Sequence, residues 1–157
     1  MKIDWRKFLI SLVVCNGAGA IGAAFTFSAI PVWYAGLNKP WFNPPAWVFG
    51  PAWTALYVLM AVALYSVWVK KEFSKAKNAY FLFSIQLVLN ALWSIIFFGM
   101  KSPGLAFLEI IFLWLAIGLT AKEFYKISKP AAYLLLPYLA WVSFAALLNF
   151  SVWTLNP

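Results

Sequence analysis

Few side chains in these 157 residues can do chemistry. There is no histidine and only one cysteine, Cys15. Imidazole ligation, histidine acid–base catalysis, an internal disulfide and a cysteine-based metal cluster are therefore excluded. Glu109 stands out among the acids because it falls five residues into a long apolar run, where a carboxylate is costly enough to be a functional candidate. No second acid and no basic partner accompanies it, so a structural role with a hydrogen bond to a neighbouring helix is the stronger reading. The amides and aromatic rings that recur at helical spacing say more. Gln86, Asn90, Trp93, Ser94 and Phe97 lie three or four apart and share one stripe. Trp141, Phe144, Ala145, Leu148 and Asn149 form another after Pro137-Tyr138, and Trp53 and Tyr57 supply a third pair. One such stripe would be ordinary glue between helices. Three of them describe a cavity with flat aromatic walls and a few hydrogen-bonding groups, suited to a large, flat, apolar ring with a small polar edge.

The elements that must position these stripes are membrane helices. Hydrophobic residues make up 65% and charged residues 10%, against about 45–50% and about 25% in soluble domains. A soluble enzyme, a nucleic-acid binder and a disordered tail are excluded together. Five apolar stretches, about 8–30, 48–69, 79–98, 104–121 and 131–155, are long enough to cross about 30 Å of hydrocarbon. They lack the alternation of a barrel strand. The expected fold is all-α, a single domain over 1–157 built as a five-transmembrane-helix bundle. Residues 31–47 hold four of the nine prolines together with Trp33, Trp41 and Trp47. Such a segment resists regular helix and favours the membrane interface, so it is expected to fold over one mouth of the bundle as a lid.

Charge then orients the chain. Lys2, Arg6 and Lys7, the loop with Lys70, Lys71, Lys75 and Lys77, and the loop with Lys122, Lys126 and Lys129 share one face; only Lys39 and Lys101 fall on the other. The positive-inside rule places the N-terminus in the cytoplasm and the lid and C-terminus outside, as an integral, multi-pass protein. Topology accounts for the net charge of +8 without nucleic acid. The basic start followed by Ala18-Gly19-Ala20 imitates a cleaved leader, but the apolar run continues to Ile30, so a retained span is expected. No inverted repeat or broken-helix pair supports an alternating-access transporter.

Longer motifs add a resemblance. WYAGLNKPWFNPP (33 to 45), FGPAWTALY (49 to 57), QLVLNALWSIIFFG (86 to 99) and PYLAWVSFAALLNFSVW (137 to 153) resemble the tryptophan-rich sensory protein and translocator protein family. The likeness extends from about Trp5 to Trp153, with helix order and loop lengths kept. It implies a five-helix membrane receptor or sensor whose cavity binds porphyrins and, in animal relatives, cholesterol and synthetic drug ligands. By motif position the pocket would include Ala23, Thr26, Phe49, Gly50, Trp53, Tyr57, Asn90, Trp93, Trp141, Phe144, Ala145, Leu148 and Asn149. Trp33 would close it from the lid, and Lys39 would either meet a propionate from outside or stay a solvated loop lysine. Trp53 and Trp141 would stack on the tetrapyrrole, one or two turns inside the outer ends of their helices. They are also the candidates for electron donors if the family's light-dependent porphyrin breakdown applies here. A role in porphyrin transport or disposal is the further alternative. The porphyrin would be a ligand, not a cofactor. No metal site is expected, and the missing histidine favours metal-free rings or haem held without ligation. The other expected partners are membrane lipid and, as is common in the family, a second copy of the chain, for which the Gly/Ala run of the first span is the best signal. The chain departs from the family at Trp41-Phe42, at Leu105, and at Phe150 and Thr154, where the animal cholesterol motif has tyrosine and a basic residue. No specialised cholesterol site is expected.

Overall fold

The computed structural model describes residues 3–72 and 75–157; Lys2 of the basic face lies outside them. Five of its helical segments are long and apolar enough to cross a membrane. The first, α1 (Trp5–Ala29), starts where the Asp4 carboxylate accepts the backbone N–H of Lys7 at 3.2 Å. This N-cap satisfies one of the orphan donors of the first turn. The lid follows, with short 3-10 turns at Tyr34–Gly36 and Ala46–Val48. Helix α2 (Phe49–Trp68) returns toward the basic end, and α3 (Lys77–Ser94) runs back to the lid end, where it widens into a π-helical turn over Ile95–Gly99.

Helix α4 (Pro103–Ile127) starts on a proline, whose missing N–H costs nothing in a first turn. It continues six residues beyond the expected end at 121 because nothing in that stretch breaks a helix. Lys122 and Lys126 are thus helical, and the helix stops just short of Lys129-Pro130. The fifth span comprises α5 (Lys129–Tyr133) and α6 (Leu136–Leu155). Its break has a local cause: Pro137 cannot donate to the carbonyl four residues back, and its ring would crowd that carbonyl.

The core is continuous through the bundle. Met60, Val67, Ile117, Phe124 and Tyr138 are fully buried, and Phe83 stacks on Phe124 with centroids 5.6 Å apart. On the perimeter Phe81, Val88, Leu108, Phe112 and Leu147 are exposed, as they would be against lipid. The basic end is tied together by side chains. Lys7 Nζ donates to the Trp68 carbonyl at 3.4 Å, and Lys70 Nζ to Ser128 Oγ at 3.1 Å. The N-terminus, the second loop and the fourth loop therefore share one end.

Candidate binding cavity

Beneath the lid, α1, α2, α3 and α6 enclose a cavity of about 500 Å³. Helix α4 contributes nothing to its wall among the described residues. Small residues make room on one side: Gly19, Gly22 and Ala23 of α1 and Ala145 of α6. Aromatic rings provide the rest: Phe49, Trp53 and Tyr57 from α2, Trp93, Phe97 and Phe98 from the α3 end, and Trp141 from α6. Trp53 is central. Its ring stacks on Tyr57 at 5.7 Å, meets Trp141 edge-on at 6.5 Å and touches Tyr138 at 6.2 Å. Phe27 of α1 and Trp47 of the lid also line the cavity and are 76% and 74% exposed, so it opens sideways between α1 and α2.

Two polar chains hold these walls. Tyr57 Oη donates to Asn90 Oδ1, and Asn90 Nδ2 donates to Tyr138 Oη at 2.9 Å, joining α2, α3 and α6. Trp93 Nε1 donates to Asn149 Oδ1 at 3.0 Å, and Asn149 Nδ2 to the Pro103 carbonyl at 2.7 Å, joining α3, α6 and α4. Helix α1 makes no such bond here; it approaches by shape. A Cβ on Gly19 would lie 2.4 Å from the Tyr57 ring, and one on Gly22 would lie 2.9 Å from Ser94 Oγ. These two glycines are thus spent on packing within the chain.

The lid is fastened at several points. Tyr34 Oη donates to Asn43 Oδ1 at 2.8 Å, and burial pushes its phenol up to about 12, so it remains a donor at ordinary pH. Lys39 Nζ donates to the carbonyls of Ala35 and Leu37 and sits 5.0 Å over the Tyr34 ring. Asn156 at the end of the fifth span accepts from the Asn38 N–H at 2.9 Å and returns a bond to the Asn38 carbonyl.

Comparison with known proteins fits this geometry. The TspO/MBR family model matches residues 11–154. The chain belongs to the TspO/MBR family. It is 44% identical to the tryptophan-rich protein TspO of Chlorobaculum tepidum over 97% of this chain and 99% of that one. The tryptophan-rich sensory protein of Cereibacter sphaeroides is 38% identical over 99% and 95%. The human translocator protein is 41% identical over 87% and 82%. The protein is accordingly an integral, multi-pass TspO/MBR membrane protein.

Of the residues expected in a TspO/MBR pocket, Ala23, Thr26, Phe49, Gly50, Trp53, Tyr57, Trp93, Trp141, Ala145, Leu148 and Asn149 line the cavity. Three others do not. Asn90 lies behind Tyr57, with its amide consumed by the two phenols. Phe144 points from α6 toward the lid, 6.3 Å from Phe42, and backs Trp141 at 5.7 Å. Trp33 packs edge-on against Phe97 and Phe98 and faces a different cavity; Tyr34 and Trp47 are the lid rings at this one. Trp141 also sits deeper than expected, about four turns below Leu155, because α6 rises beside the lid past the start of α2. Gln86 is buried away from the wall. Glu109 is buried on α4, and neither oxygen finds the expected bond to a neighbouring helix among the described residues. Phe98 and Trp47 line the cavity without having been expected among its wall residues. Phe98 is about 100° from Phe97 on an ideal helix, yet in the π turn both rings pack against Trp33 and Tyr34 of the lid.

Proposed function

We propose that this protein is a membrane receptor or sensor that binds porphyrin-like tetrapyrroles in the cavity under the lid, as part of their sensing, transport or disposal. The observation that carries this reading is the pairing of volume and wall. About 500 Å³ lies within the range of ligand pockets, and its walls present the indoles of Trp53 and Trp141 within 6.5 Å of each other. Flat aromatic faces suit a flat apolar ring, and the small residues of α1 leave room for its width. The sideways opening between α1 and α2 suits a ligand that arrives dissolved in lipid. Orientation follows from charge: the basic end is cytoplasmic and the lid faces outward. The test is a titration of purified protein with protoporphyrin, read by quenching of tryptophan fluorescence. Saturable quenching is expected, and non-saturable quenching alone would end the reading.

A second reading, light-dependent breakdown of the bound ring with dissolved dioxygen as the oxidant, is favoured by one cluster of rings. Trp53 is in van der Waals reach of Trp141, Tyr57 and Tyr138, all oxidisable rings. Trp53→Phe and Trp141→Phe keep an aromatic face, so affinity should fall by about tenfold at most. Phenylalanine is much harder to oxidise than tryptophan. Bleaching of bound porphyrin under illumination should therefore fall far more than binding if the indoles donate electrons. Bleaching that survives both substitutions unchanged leaves a binding protein without this activity.

A further inference from the structure

We propose that a second cavity, separated from the first by the Phe98 ring, is a carboxylate subsite whose cation is Lys101. This rests on the tetrapyrrole reading above and narrows it to rings that carry acidic side arms. The second cavity measures about 600 Å³ and lies at the lid end, between Phe25, Ser28 and Trp33 on one side and Phe98 and Lys101 on the other. Phe98 lines both cavities, so a ring held against it in the first would be one side chain away from the second. Lys101 brings the one charge to a recess otherwise lined by apolar side chains, glycine and the Ser28 hydroxyl. Among the described residues no carboxylate pairs with the Lys101 ammonium and no carbonyl accepts from it. The other lysine at this end, Lys39, is already engaged by two carbonyls and the face of Tyr34, and it lines neither cavity. The structure thus transfers the acid-binding role from Lys39 to Lys101.

The backbone supports the assignment independently. Lys101 has φ of 53°, and it is the one non-glycine with positive φ among the described residues. Glycine enters that conformation freely; a lysine does so against its Cβ. Packing does not demand a long side chain here, since Lys101 is exposed. A cation therefore stands at a position where the backbone alone would favour glycine, beside a cavity that no other side chain charges.

This conformation provides a clean test. Lys101→Gly removes the ammonium and relieves the backbone, so the fold should be retained with a melting temperature at or above that of the wild type. Full-length protein in neutral detergent is titrated with protoporphyrin IX, a dicarboxylic acid, and with its uncharged dimethyl ester. The wild type should bind the diacid roughly fivefold more tightly than the ester, the scale of one partly exposed ion pair. Lys101→Gly should lose this preference by weakening the diacid alone, and Lys101→Arg should keep it. Equal affinities in the wild type, a preference that survives Lys101→Gly, or one removed by Lys39→Gln instead would each overturn the subsite. Failure of both compounds to saturate defeats the tetrapyrrole reading, and the subsite with it.

Discussion

Asn90 illustrates how a polar side chain in a membrane helix can serve a pocket without touching its contents. Its carbonyl takes the Tyr57 phenol and its amino group reaches the Tyr138 phenol, so one amide fixes two rings that border Trp53. Leucine keeps the branched shape in a larger volume and satisfies neither hydroxyl. Each orphaned, buried hydroxyl costs about 1–3 kcal/mol, so Asn90→Leu should lower thermal stability clearly. Porphyrin affinity should shift by only about twofold, because the wall itself is unchanged. A large loss of affinity at unchanged stability would place Asn90 in direct contact with the ligand. Spacing alone could not make this distinction. Asn90 and Trp93 are three residues apart and share a stripe, yet the large Tyr57 ring covers one and leaves the other at the surface of the cavity.

At the scale of the helix, α1 closes the cavity by close approach. The Gly19–Tyr57 contact leaves no room for a methyl group, since the added Cβ would stand 2.4 Å from a ring carbon. Gly19→Ala should therefore push Tyr57 off Asn90 or lift α1 from α2. The cost is about 1–3 kcal/mol, with porphyrin affinity lowered at the same time. Gly17→Ala, which meets nothing within 4 Å, serves as the matched control: it should leave the titration unchanged and thermal stability equal or slightly raised. All five spans were legible in the sequence because long apolar runs between charges need no tertiary information. Their ends were less so: α4 outlasts its apolar run by a turn and a half, with its last turns carrying Lys122 and Lys126 outside the hydrocarbon. The cavity wall was legible where regular 3.6-residue spacing holds, as at Trp141, Ala145 and Leu148. It was not legible at the π turn, which shifts the register for Phe98, nor in the lid, where the prolines leave no periodicity to separate Trp33 from Tyr34 and Trp47.

Across the whole molecule, charge and cavity lie at opposite ends. The second and fourth loops meet the N-terminus at the basic end, while the lid, its clasp to Asn156 and both cavities lie at the other. A reporter fused after Pro157 that works only outside the cytoplasm should therefore be active, whereas cytoplasmic activity would invert the topology and leave the basic loops unexplained. In the proposed reading the porphyrin lies in the outer half of the membrane, reached between α1 and α2 and held under the lid. The central claim is that porphyrin occupies the cavity itself and not the lipid-facing surface. Ala23 lines the cavity and is partly buried, so a larger side chain there fills the space a ring would take. The decisive measurement is the affinity of Ala23→Phe for protoporphyrin beside that of the wild type, with thermal stability recorded for both. A loss of at least about tenfold in affinity with the fold intact is the predicted result. Equal affinity in a folded Ala23→Phe would contradict the account, because the porphyrin would then be bound somewhere else.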